Sequence, residues 1–269
     1  MYEEPYKWVE AVGNRRQYLD EQFKQCSPVV ALAYDAGILL LTVSKGTPKL
    51  YEIYDRLALG GMGHPADLEK LRFSLLEMAH VEGFNRSPSD VTGGRMVKYG
   101  IAPVIKQAFE EIFKAPFIVK ILFAELGQKA DKNLFLAVNY DGTFEEGSSC
   151  AVLAASKPVE QDMVAYVRRE ASAVLSLEQA FGIALRTWSL GDRLQRKAAE
   201  NSSEGSPAAG KPEDTEAASL YAHLRERVAE KTVECALLDR SLSGSSKYRA
   251  LAADEIGRLL PKDLRATLP

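Results

Sequence analysis

The side chains best suited to chemistry in this chain are three histidines, three cysteines and two pairs of adjacent carboxylates. His64, His80 and His223 lie far apart, and none has a partner at metal-ligand spacing. Cys26, Cys150 and Cys235 are odd in number and contain no CxxC pair, so neither a disulfide framework nor a zinc ribbon is expected. Adjacent carboxylates on a helix diverge, which makes Glu110-Glu111 a solvated face rather than an acid–base pair; Glu145-Glu146 are likewise neighbours in sequence. There is no GxSxG elbow, no HExxH helix and no P-loop lysine motif. Gly60-Gly61-Met62-Gly63 and Gly93-Gly94 complete no dinucleotide fingerprint and read as turns. No metal and no cofactor are expected.

Bulk properties narrow the class. With 269 residues and 46% hydrophobic content, the chain can form one large domain or two small ones around a sizeable core. A net charge of −3 gives no basic footprint for nucleic acid. The start, Met1-Tyr2-Glu3-Glu4-Pro5, lacks an apolar signal core, and no run approaches the ~18 apolar residues of a membrane span. With isolated cysteines, this implies a reduced, cytoplasmic protein without a membrane partner.

Residues 28–61 are the centre of the pattern. Two apolar runs, Val29–Tyr34 and Gly37–Thr42, flank Asp35-Ala36, and two more short runs follow, Pro48–Tyr54 and Leu57–Gly61. They are too short for typical helices and rich in aliphatic and β-branched residues, which predicts paired, buried strands. A leading helix is predicted over 5–25, with Trp8, Val12, Leu19 and Phe23 close to one stripe that packs on its own domain or on a neighbouring subunit. Pro65 opens a helix over 65–82. Another is predicted from Ser89 or Asp90 to about Lys114, disturbed at Pro103. Strands are expected at 117–126, 133–140 and 144–154, helices at 158–174 and 176–195, a strand at 231–239 and a helix at 248–260. Residues 198–218 hold no large apolar side chain and read as a flexible polar loop. Strand clusters alternating with helix pairs predict an α+β fold. The expected architecture is a four-layer αββα sandwich of two antiparallel sheets covered by helix pairs, with an N-terminal helix.

The segments Val29–Leu39, Pro48–Arg56, Asp67–Phe113 with Asp90-Val91-Thr92-Gly93, Tyr140-Asp141-Gly142, Ser176–Ala180 and Val233–Asp239 together resemble proteasome-type subunits of the N-terminal-nucleophile hydrolase fold. They are most like the alpha-type subunits of actinobacterial proteasomes, and the ordered series spans nearly the whole chain. The resemblance implies a division into a gate segment and ring-forming helix (1–25), an αββα core (26–197), the polar loop (198–218) and a C-terminal strand and helix that complete the core (219–269).

An active member of this family matures to a threonine at the start of the first strand, whose own amine can accept the proton. Here Ser27-Pro28 stand at that point after Cys26, Pro28 replaces the usual second threonine, and Val43 occupies the place of a supporting aspartate. The resemblance therefore implies a subunit with no catalytic residue. The alternative is a hydrolase that exposes Ser27 or Cys26 by self-cleavage. Lys49 matches the alpha-subunit lysine whose ammonium receives an activator's terminal carboxylate, whereas composition alone would make it a solvated lysine. Residues 1–7, with Tyr2, Pro5 and Tyr6, would form the gate. Trp8 stands where bacterial relatives tend to have proline. The implied partners are identical alpha subunits in a heptameric ring, catalytic beta-type subunits and a hexameric AAA ATPase activator.

Overall fold

The computed structural model describes residues 5–111, 113–171, 174–204, 216–228 and 231–261. A leading helix, α1 (Pro5–Phe23), precedes four strands: β1 (Val29–Tyr34), β2 (Gly37–Ser44), β3 (Leu50–Tyr54) and β4 (Leu57–Gly63). Helix α2 (Pro65–Asn85) follows, with Pro65 in its first turn and the His64 ring accepting the Ala66 N–H at its start. After α3 (Gly93–Arg95) and α4 (Ala102–Glu110) come β5 (Val119–Glu125), β6 (Leu134–Val138), β7 (Phe144–Gly147) and β8 (Cys150–Leu153). The chain continues through α5 (Lys157–Glu170), α6 (Leu177–Glu204), α7 (Ala217–Val228), β9 (Thr232–Asp239), β10 (Tyr248–Ala250) and α8 (Ala253–Leu259).

Two antiparallel five-stranded sheets result, in the orders β10-β9-β2-β1-β8 and β3-β4-β5-β6-β7. The period-2 alternation of β1 explains the layering. Val29 and Ala31 face the second sheet, where they meet Ala58, Met62, Leu122 and Phe135. Val30 and Leu32 face outward onto α5 and α6, against Met163, Phe181 and Trp188. On the far side, Leu59, Ile121 and Phe123 pack under Leu68, Leu71, Leu75 and Ile105 of α2 and α4. This is the predicted α+β sandwich, in the order helices, sheet, sheet, helices.

The differences from the sequence reading have local causes. Gly60 and Gly61 lie inside β4, not in a turn. A Cβ on Gly60 would come within 2.8 Å of Val29 and one on Gly61 within 2.3 Å of Leu68, so both faces of β4 need glycine for close approach. The helix predicted from 90 to 114 is broken into a 3-10 turn (Pro88–Asp90), α3, a π-helical stretch (Met96–Ile101) and α4. Pro103 carries no N–H for an α-type bond to Tyr99, and the wider turn lies immediately before it. The run 144–154 is two strands: β7 ends the second sheet, and after Ser148-Ser149 the chain crosses to the first sheet as β8. The stretch 198–218 is not a loop throughout. Its start, with Ala198, Ala199 and Glu200, extends α6 to Glu204, and α7 opens at Ala217; 205–215 lie outside the described residues. Helix α7 was not anticipated, although Leu220, Leu224 and Val228 recur at helical spacing and are buried. Residues 248–250 are the edge strand β10 rather than the start of the last helix.

Candidate functional site

The edge where α1 turns into β1 carries Ser27, the position at which the sequence resemblance places the nucleophile of active proteasome-type subunits. The polar groups around Ser27 are engaged with one another. The Trp188 indole N–H donates to the Ser27 hydroxyl at 2.9 Å. Gln195 donates its amide to the Cys26 carbonyl at 2.9 Å and accepts the Ala155 N–H at 2.8 Å. The Thr42 hydroxyl donates to the Pro28 carbonyl at 2.7 Å. Among the described residues no basic side chain is hydrogen-bonded to the Ser27 hydroxyl, so no nucleophile–base pair is formed. Burial pushes the Cys26 thiol above its ordinary range, with the charges of Lys49 and Lys120 acting in the opposite direction.

Helix α1 is seated firmly at this edge. Leu19 and Phe23 are fully buried between the sheets, and the Cys26 N–H bonds back to the Phe23 carbonyl at 3.0 Å. The Arg15 guanidinium donates to the carbonyls of Ala108, Phe109, Glu111 and Lys114 at 3.0, 2.8, 3.1 and 2.6 Å. Ala108 and Phe109 are among the carbonyls that the end of α4 leaves without intrahelical donors, and Glu111 and Lys114 lie just beyond it, where a cation is favoured. Tyr140 stacks on Phe23, with centroids 5.8 Å apart, and its hydroxyl donates to Asp20 at 2.9 Å. Of the rest of the predicted stripe, Val12 packs partly buried against this core and Trp8 is open, 49% exposed; Val9 and Tyr18, outside the stripe, are 64% and 49% exposed.

Lys49 precedes β3 and faces the same edge. Its N–H donates to Glu234 Oε2 at 2.9 Å, and its carbonyl accepts the Gly61 N–H at 2.9 Å, so the main chain is fixed on both sides. The side chain is half-buried. Burial lowers the pKa of its ammonium, while Cys26 and Glu234 act to raise it. Among the described residues the ammonium makes no ion pair. A half-buried cation that makes no direct ion pair is suited to an incoming carboxylate.

A second lysine at this edge was missed. Lys120, on β5, is buried between the sheets. Its ammonium donates to the Ala154 carbonyl at 2.7 Å and to Glu160 Oε1 at 3.2 Å, and lies 5.4 Å from the Phe23 ring centroid. The signal was a single charged residue inside the apolar run Val119–Phe123. Glu234 was missed too; only the β2–β9 pairing brings it to Lys49. Of the gate residues, Pro5 and Tyr6 begin α1, and Tyr2 lies outside the described residues.

The histidines are separated as the spacing implied. His64 caps α2, His80 sits edge-on to Tyr54, and His223 contacts Asp192 at 3.0 Å. Among the described residues no group of three His, Cys, Asp or Glu side chains could hold a metal ion, and no helix is long and apolar enough to cross a membrane. Glu145 and Glu146 pair with different lysines, Lys157 at 2.5 Å and Lys98 at 2.6 Å, as side chains on opposite strand faces must.

No protein-family model matches the chain. Individual proteins do. A proteasome subunit alpha of Saccharopolyspora erythraea is 32% identical over 172 residues, 63% of this chain and 65% of that protein. One of Actinosynnema mirum is 28% identical over 216 residues, 80% of this chain and 76% of that protein. One of Thermobifida fusca is 34% identical over 116 residues, 42% of this chain and 46% of that protein. The chain thus spans just under two thirds, about three quarters and under half of the length of these three relatives. Over much of its length, the chain is similar to the alpha-type subunits of actinobacterial proteasomes, as the segments quoted from its sequence imply.

Proposed function

We propose that this chain is a non-catalytic alpha-ring subunit of a bacterial proteasome core particle in the cytoplasm. In this reading it assembles a heptameric ring with identical subunits and stacks on catalytic beta-type subunits. It also gates substrate passage through its N-terminal residues and docks a hexameric AAA ATPase activator at Lys49.

The seating of α1 carries the reading. A propeptide that is discarded needs no seat, whereas this helix has two fully buried apolar side chains and an arginine fixed on four carbonyls. The Ser27 hydroxyl accepts the Trp188 indole N–H, and among the described residues no basic side chain is hydrogen-bonded to it. The exposed Trp8 and Val9 give the first turns of the same helix apolar surface for a neighbouring subunit.

The test is coexpression with a beta-type subunit, intact-mass measurement of this chain and electron microscopy of the particle. An uncleaved N-terminus and stacked seven-fold rings are expected. Cleavage just before Cys26 or Ser27, with hydrolytic activity of this chain alone, would replace this reading by the self-cleaving hydrolase.

A further inference from the structure

Glu234 stands on β9 opposite Thr42 of β2, beside Lys49. Its Oε2 accepts the Lys49 main-chain N–H at 2.9 Å, while its Oε1 is buried with no hydrogen-bond donor. A carboxylate satisfied on one oxygen only keeps strong negative character toward the nearest cation. Lys49 is the lysine whose main chain this carboxylate holds, and the charge of Glu234 acts to raise the pKa of its ammonium. Lys120, the other lysine near Cys26, is already engaged by Glu160 and two carbonyls. Lys49 is therefore not an isolated positive charge awaiting a ligand. It shares its edge of the sheet with a resident carboxylate of the same chemical class as the group it would receive.

We propose that Glu234 is the internal competitor of the docking carboxylate: it clamps the Lys49 main chain through one oxygen and, through its charge, weakens the hold of the ammonium on an incoming C-terminal carboxylate. The proposal rests on Lys49 as the docking residue. Clamp and charge are separable. Gln at position 234 retains an oxygen for the Lys49 N–H and an equal volume, and removes only the charge. Two like charges competing for one cation near a protein surface then predict about five- to tenfold tighter binding in Glu234→Gln. A purely structural Glu234 predicts unchanged or weaker binding.

Cys26 supplies a readout independent of docking. Its thiol feels Lys49 and Lys120, and the thiolate is the form that reacts. Cys150 and Cys235 are 8% and 3% exposed, which separates them from the half-buried Cys26 in a peptide map. At fixed pH, Glu234→Gln leaves Lys49 less neutralised and speeds Cys26 alkylation by iodoacetamide severalfold, and Lys49→Met slows it.

The experiment uses the assembled ring in wild-type, Glu234→Gln and Lys49→Met forms. The probe is N-acetyl-Ala-Ala-Leu with a free terminal carboxylate, compared with its carboxamide by saturation-transfer NMR, alongside Cys26 alkylation. Tighter carboxylate binding in Glu234→Gln, loss in Lys49→Met and the stated changes in alkylation support the proposal. Loss in Lys49→Met without tightening in Glu234→Gln overturns it and leaves the docking residue standing. Binding that is absent throughout or indifferent to Lys49 removes the docking assignment, and the proposal with it. Alkylation rates identical in all three forms overturn the charge coupling.

Discussion

Lys120→Met tests how the two sheets are held at the site edge. The ammonium is 4% exposed, and its partner Glu160 is 15% exposed. Removing one member of such a buried pair leaves a carboxylate without its cation, at a cost of about 3–5 kcal/mol. Two groups reduce this. Lys157 approaches Glu160 Oε2 to 3.7 Å, and the Ala154 N–H reaches Oε1 at 3.3 Å. Methionine also refills most of the volume over Phe23. The Ala154 carbonyl in turn loses its lysine donor, a further cost of about 1 kcal/mol. The net expectation is about 2–4 kcal/mol of destabilisation. Urea unfolding followed by the fluorescence of the fully buried Trp188, at fixed protomer concentration, measures it. The double variant Lys120→Met/Glu160→Gln removes the stranded charge and should regain more than half of the loss. A loss below about 1 kcal/mol, or a double variant no more stable than the single one, would show that the pair does not tie the sheets.

Lys49→Ala should leave ring assembly intact and abolish activator-stimulated proteolysis; unchanged stimulation removes its assignment. Deleting residues 2–7 should raise peptide hydrolysis by the assembled particle, and no increase counts against a gate there. Burial alone would raise the Asp192 carboxyl, but hydrogen bonds from His223 and Arg227 hold it down at about 2. Its folded value lies below its ordinary one, so this stability is present above about pH 4 and lost as pH falls toward 2. It amounts to about 2 kcal/mol, and acid titration of Asp192→Asn should show a correspondingly shallower loss. Gly61→Ala should destabilise by about 1–3 kcal/mol through overlap with Leu68, and Leu68→Ala in the same chain should cost less than the two changes summed; additive costs in denaturation would refute the contact.

The sheets were legible wherever apolar runs are uninterrupted. β1, β2 and β9 follow from Val29–Tyr34, Gly37–Ser44 and Val233–Leu238 because burial on both faces needs continuous apolar sequence. The Phe144–Leu153 run hid a change of sheet, since β7 is a short exposed edge strand, Phe-Glu-Glu-Gly, without an apolar pattern of its own to set it apart from β8. Edge strand β10 has only three residues, one of them arginine, too few for a period. The site was legible in part. Ser27-Pro28 and Lys49 were found because the resemblance placed them. Glu234 and Trp188 could not be, since they meet Lys49 and Ser27 only through strand order and helix packing, 185 and 161 residues away in sequence.

The grip of Arg15 on the end of α4 has a temporal consequence. Its contacts span 93 to 99 residues of sequence, so the acceptors for the first helix are synthesised long after the helix itself. Until α4 has closed, the Arg15 guanidinium lacks these acceptors, whereas Leu19 and Phe23 share their core with β1, β2 and β4, which precede α4 in the chain. The polar lock of α1 thus waits on the end of α4, which ties the final seating of this helix to completion of the first half of the fold.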